Sequence, residues 1–263
     1  MVLQAGKVAS HADELGANRK LTGMQRPAFL SNPLTGARAN GVCYLGAARA
    51  RRKFELFYPD GFQDETYLIA ERAYKERAHV EWQAELGPAA FRKLLARGEY
   101  RQIADIAIRI ESRTNLLFSF EKMALRDALR SPAGARLFAH ELYALLYGRG
   151  AAQRRFEDWI QAVSELPQGR GKVLTWPVVT VFPFIARPDK HLFLKPRVTR
   201  KAARAYGFDF GYKPEPSWAV YHGLQTFGAI IRRDLDRRPG LRARDMIDVQ
   251  SFIWVQGADE YEA

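Results

Sequence analysis

A chain of 263 residues with 47% apolar and 12% aromatic side chains can bury a genuine core, which excludes a wholly disordered polymer. Its 41 Lys and Arg against 29 Asp and Glu leave a formal charge of +12, which favours a polyanionic partner, nucleic acid ahead of an anionic membrane surface. Cys43 is the lone cysteine, so neither an intrachain disulfide nor a thiolate metal cluster can form, and no apolar run reaches transmembrane length. With no signal-peptide core at its start, the chain is expected to be soluble and cytoplasmic, with no membrane partner.

Residues 1–40 are polar and glycine-punctuated, with Pro27 and Pro33, and read as a flexible tail. Two short strands, residues 41–45 and 53–58, follow as a small β-hairpin, because Cys43 and Leu45, then Phe54, Leu56 and Tyr58, alternate as half-buried strands do. Pro59-Asp60-Gly61 ends the second strand. Helical spacing then takes over. Asp64 caps a helix through about Leu86 with Tyr67, Ala70, Tyr74, Ala78 and Trp82 on one face, and Gly87-Pro88 stops it. A short helix over residues 89–96 precedes a long segment, 101–130, broken near residues 114–119. Ser131-Pro132 caps a helix through Tyr147, and residues 152–166 form another.

Farther on, a short basic helix over residues 199–206 ends at Gly207. Ser217 opens one through about Leu235, and a last helix spans about residues 244–255. The predicted architecture is mainly α, with a boundary near Gly148–Gly150 dividing residues 41–150 (hairpin plus helical lobe) from a second helical lobe, residues 151–263.

The five histidines are scattered, and His140-Glu141 lacks the second histidine of a zincin helix, so no metal and no cofactor is expected. No nucleophile elbow, Walker loop or dinucleotide-binding glycine fingerprint occurs. Four carboxylates could do acid/base work. Asp245 and Asp248, one helical turn apart, could share a proton or act as a cap plus a solvated acid. Glu111 and Glu121 belong either to intrahelical ion pairs or to a buried network beside a cleft.

The stretch from Leu166 to Arg204 is the most suggestive. Residues 187–204 carry Arg187, Lys190, Lys195, Arg197, Arg200, Lys201 and Arg204 against the single acid Asp189. Upstream, a glycine turn at Gly169, Gly171 and Lys172 could present successive backbone amides to one phosphate. Leu166-Pro167, then Gly169 and Gly171-Lys172, resemble the Leu-Pro-Gly-x-Gly hairpin of the helix-hairpin-helix DNA glycosylase superfamily, with extra residues before Thr175. Pro188 to Val198 is similar to the segment after that hairpin, and residues 245–254 to the final helix of some members. The resemblance covers roughly residues 155–257 and implies a helical DNA-binding scaffold. It departs where the family places its catalytic aspartate, since Lys195-Pro196 supplies no carboxylate. Lys195 is then a phosphate contact or, if desolvated, an amine nucleophile.

Trp176, Phe182, Phe184 and Phe193 interleave with these cations, as a base-stacking platform or as packing. The favoured reading is a protein binding the nucleic-acid backbone, DNA first, through Gly169, Gly171, Lys172, Lys195, Arg197, Arg200 and Lys201, extended by Arg51, Arg52 and Lys53. The competing readings are an enzyme acting on a nucleobase or nucleotide in an inter-lobe cleft, and a structural protein whose cationic face binds an acidic protein.

Overall fold

The computed structural model describes residues 38–39, 42–169 and 171–262. The expected tail over residues 1–40 lies outside them except for Arg38–Ala39, which pairs antiparallel with Val42–Cys43, Arg38 opposite Cys43 (β1 and β2). Helix α1, Tyr44–Phe57, follows at once and takes up the second expected strand. The alternation of Phe54, Leu56 and Tyr58 misled because Phe54 and Tyr58 are also four residues apart. Both are buried, with Ala47 and Ala50 on the same helical face, while Leu56 is 66% exposed. The Ala-Arg-Lys run over residues 47–53 favours helix by composition.

A turn at Gly61–Gln63 leads to a helical stretch in three parts: α2 (Glu65–Tyr67), a π-helical turn (Leu68–Arg72) and α3 (Ala73–Leu86). Asp64 caps it, accepting from the Tyr67 amide at 3.2 Å, as expected. Next come α4 (Pro88–Ala96), α5 (Tyr100–Ser112) and α6 (Ser119–Leu129), the last two separated where the long segment was expected to break. Ser131 caps α7 (Pro132–Tyr147) through the Gly134 amide at 2.9 Å, and α8 spans Ala152–Glu165. The remainder comprises α9 (Trp176–Ala186), α10 (Pro196–Tyr206), α11 (Trp218–Leu235), α12 (Met246–Gly257) and a closing 3-10 turn, Asp259–Tyr261.

Helix α9 is the element the sequence hid. Every one of its residues is buried, so it shows no amphipathic period, and it carries Pro177 and Pro183. Pro177 sits in the first turn, where no amide is needed. Pro183 lacks the N–H that would reach the Val179 carbonyl, and the buried Trp159 indole supplies a donor there instead, at 2.9 Å. Helices α3, α5, α7 and α8 pack around α9, while α12 lies against α1, α10 and α11. Because α1 meets α10 and α12, and α3 meets α9, helices from both sides of the expected boundary at 148–150 share one cluster of buried side chains. At the α10–α12 crossing Gly257 is required: a Cβ there would come within 2.1 Å of the Val198 carbonyl oxygen.

Candidate functional site

The first turns of α6, α9 and α10 and the last turn of α12 surround a cleft of about 560 Å³. Its placement follows from local sequence. Glu121, third in α6, folds back to accept from the Phe118 amide at 2.9 Å, and its other oxygen accepts from the Thr175 hydroxyl at 3.3 Å. Thr175 in turn caps α9 through the Val178 amide. The starts of α6 and α9 are thereby tied together. The buried segment leading to α10 is anchored to α9 where Thr180 Oγ1 accepts from the Leu194 amide at 3.0 Å. Lys195 comes next, and Pro196 restricts it to the extended conformation observed.

That anchoring puts the Lys195 side chain on the cleft floor, with the residue only 7% exposed. Its Nζ donates to the Leu116 carbonyl at 2.9 Å and stands 3.7 Å from the Phe118 ring centroid and 5.7 Å from that of Trp254. Burial pushes the ammonium pKa down, against the pull of Glu121. Burial likewise pushes the Glu121 carboxyl up, against the Phe118 N–H and the Lys195 charge. The two face one cleft without a direct ion pair. Phe118 and Phe120 form the outer lip, 52% and 59% exposed, stacked with centroids 5.5 Å apart. Trp254 and Tyr212 line the other side. Three helix N-termini at one cleft add positive potential that favours an anion.

Several of the expected cations meet here. Lys172, Lys195 and Arg197 line the cleft, Arg200 lies over the Tyr212 ring at 4.9 Å, and Lys201 follows Arg197 by one turn of α10. Helix α1 runs beside α10, near enough for the charge of Lys201 to lower the pKa of Lys53, second to burial. Arg52 is exposed. Arg51 is instead tied to Asp234 of α11, which also accepts from the Tyr206 hydroxyl. Gly169 and Gly171 do not open a helix, because α8 ends at Glu165 and α9 begins only at Trp176. They cross over α6, where a Cβ on Gly171 would lie 3.2 Å from that of Ala124. With Lys172, Met123, Arg126 and Arg130 they line a second hollow of about 810 Å³, which adjoins the cleft through Phe120 and Lys172.

Other expected residues are committed elsewhere. Asp245 caps α12 through the Ile247 amide at 2.9 Å and receives Arg72. Asp248 is fully buried and accepts from Tyr67 (2.5 Å), Arg72 (2.9 Å) and both the backbone and guanidinium of Arg244. Burial would raise its pKa, but these donors hold it below the usual carboxylate range. Both aspartates join elements rather than face the cleft. Glu111 is buried against Thr114, with Lys122 at 3.5 Å, also outside the cleft lining. Of the four aromatics first noted, Trp176 alone lines the cleft, and it is a wall: the ring is buried, with its indole N–H on the Lys213 carbonyl at 2.7 Å. Phe182, Phe184 and Phe193 are core.

Sequence reasoning missed the cleft-lining rings Phe118, Phe120, Tyr212 and Trp254. It also missed a buried charge stripe. Lys75 donates to Glu71 at 3.0 Å and to Ser251 at 2.8 Å, and Glu71 accepts from Tyr261 at 2.8 Å. The one sequence signal was a four-residue step, Tyr67, Glu71, Lys75, continuing the Ala78 and Trp82 face. His191 is neutral, pushed by burial to about 4 and set beside Tyr221. Among the described residues no group of His, Cys, Asp and Glu could hold a metal ion, and no helix is long and apolar enough to cross a membrane. Compared with known proteins, the chain matches no family model, no curated protein and no solved structure.

Proposed function

We propose that this protein binds single-stranded nucleic acid, DNA in the first instance, by stacking bases on the rings of the cleft and holding phosphates on its cationic rim. One observation carries the reading. Phe118 and Phe120 stack on each other in solvent at the mouth of a cleft whose floor is a lysine and whose walls are helix N-termini. Exposed stacked rings beside cations are what a base and its phosphate need, and each stacked base contributes about 1–3 kcal/mol. The cleft volume suits a ligand of nucleotide size. The adjoining hollow beside Gly169, Gly171 and Lys172 gives the backbone a path onward, toward the loop in which the resemblance to helix-hairpin-helix glycosylases places a phosphate.

The test is fluorescence anisotropy with labelled single strands of about 12 nucleotides and the matching duplex, titrated at salt from about 50 to 200 mM. Single strands should bind more tightly than duplex, and affinity should fall steeply with salt because neutralised phosphates release counterions. A flat salt response, or no binding to either form, refutes the reading.

A second reading keeps the same ligand and adds chemistry. Glu121 and Lys195 are each pushed by burial toward the neutral form inside one cleft, as a proton-transferring pair would be. Incubating the protein with oligonucleotides carrying damaged bases and assaying for abasic sites tests it. Glu121→Gln should abolish any such activity while leaving binding in place.

A further inference from the structure

Two of the four cations of α10 are already in contact with anions. Arg197 pairs with Asp259, and Lys201 pairs with Glu262 and, at 3.5 Å, with Asp259. Arg197 and Lys201 are four residues apart, so their side chains form one row along the helix. The carboxylates of Asp259 and Glu262 are therefore set out along that row. The same segment walls the cleft: Asp259 and Glu260 line it, and Glu260 accepts from the Trp254 indole at 2.5 Å. A ring that could stack a base is thus engaged by an acid at its polar edge.

The segment is held by Tyr261, not by its acids. The Tyr261 hydroxyl bonds Glu71 at 2.8 Å and meets the Tyr58 hydroxyl at 2.5 Å, and its ring stands edge-on to Phe57 at 5.0 Å. Asp259, Glu260 and Glu262, by contrast, are all exposed. Exposed carboxylate–cation pairs are weak, screened and readily exchanged for other anions. Four residues thus combine a firm aromatic anchor with three loosely held negative charges, two on cations that a strand would use and one on the Trp254 indole.

We propose that residues 259–262 are an internal stand-in for a nucleic-acid backbone: Asp259 and Glu262 mark the positions of two phosphates that Arg197 and Lys201 take from a bound strand, which must displace the acids to seat. This rests on the reading of the cleft as a nucleic-acid site, and it assigns Arg197 and Lys201 as the phosphate contacts. It also makes the wild-type protein a weaker binder than its cation count implies.

The experiment compares three full-length proteins in the anisotropy assay. One is wild type. One is Asp259→Asn/Glu260→Gln/Glu262→Gln, which keeps shape and Tyr261. The third, Glu157→Gln/Asp158→Asn/Asp236→Asn, removes the same charge from exposed or half-buried positions that neither line the cleft nor pair with α10. The first triple variant should bind a single strand about tenfold more tightly at low salt. The slope of log affinity against log salt should steepen by up to about 1.4, for two more phosphates neutralised without competition. The control should stay near wild type. Adding Arg197→Gln/Lys201→Gln to the first variant should remove the gain.

Equal gains in both triple variants would reduce the effect to net charge and overturn the stand-in role. Binding by all three proteins at one affinity would overturn it too, while leaving the nucleic-acid reading intact. Binding by none of them would remove that reading, and the inference with it.

Discussion

Asp248→Ala should be among the most damaging single substitutions in the protein, although Asp248 lies outside the cleft. The carboxylate is fully buried and accepts from Tyr67, Arg72 and Arg244, joining the π-helical turn to α12. Removing it leaves the Arg72 guanidinium, whose side chain is 6% exposed, with Asp245 and Glu76 alone, and its Nε is already without a partner. Breaking a buried pair at one end costs about 3–5 kcal/mol, a large part of a typical domain stability of about 5–15 kcal/mol.

Urea unfolding should therefore show a midpoint far below wild type, while the fraction still folded binds oligonucleotide normally. The double variant Arg72→Met/Asp248→Leu should recover part of the loss, because the deeply buried Arg72 charge is then no longer stranded, while Arg244 is partly exposed. The pH dependence has a definite sign. The folded pKa of Asp248 lies below its ordinary 3.8, so its contribution is present in full above about 3.8 and is lost as pH falls below that value. The gap between wild type and variant should narrow in acid. A loss under about 1 kcal/mol, or a binding defect with stability unchanged, would refute the reasoning.

Three further substitutions separate binding from folding. Phe120→Ala removes an exposed ring that holds no buried group, so stability should move by less than about 1 kcal/mol while single-strand affinity drops about 5- to 150-fold, read by anisotropy beside a thermal melt. Gly257→Ala forces a methyl against the Val198 backbone and should cost about 1–3 kcal/mol or more by urea denaturation. Trp159→Phe strands the Val179 carbonyl that Pro183 cannot serve, a cost of about 1–3 kcal/mol. The same change in a Pro183→Ala background should cost less, since alanine at that position restores the missing N–H, and equal costs in the two backgrounds would contradict the account of α9.

The elements most legible in the sequence were those with one wet face. Helices α4 to α8 declared themselves by spacing, by the Ser131-Pro132 start and by the low-propensity break before Ser119. Where a helix has no wet face the period vanishes, and α9, buried throughout and carrying two prolines, gave no helical signal. The stretch 53–58 failed for another reason: three apolar residues at alternate positions satisfy a strand, yet two of them also satisfy a helix, and the packing of α1 against α12 chose between these.

Charge was legible in amount but not in disposition. The basic segment does gather Lys195, Arg197, Arg200 and Lys201 beside one cleft. Nothing local foretold that Arg51 would be consumed by Asp234, 183 residues away, or that Asp259 and Glu262 would return to α10. The cleft-lining rings were missed because Phe118, Tyr212 and Trp254 are far apart in the chain and come together only in the fold.

Photocrosslinking with an iodouracil-substituted single strand, followed by mass mapping of the attached peptides, tests the central claim most directly. Adducts are expected on Phe118, Phe120, Tyr212 or Trp254, diminishing as salt is raised. Adducts confined to helices remote from the cleft, such as α4, α5 or α8, or none at low salt, would contradict the assignment of this cleft.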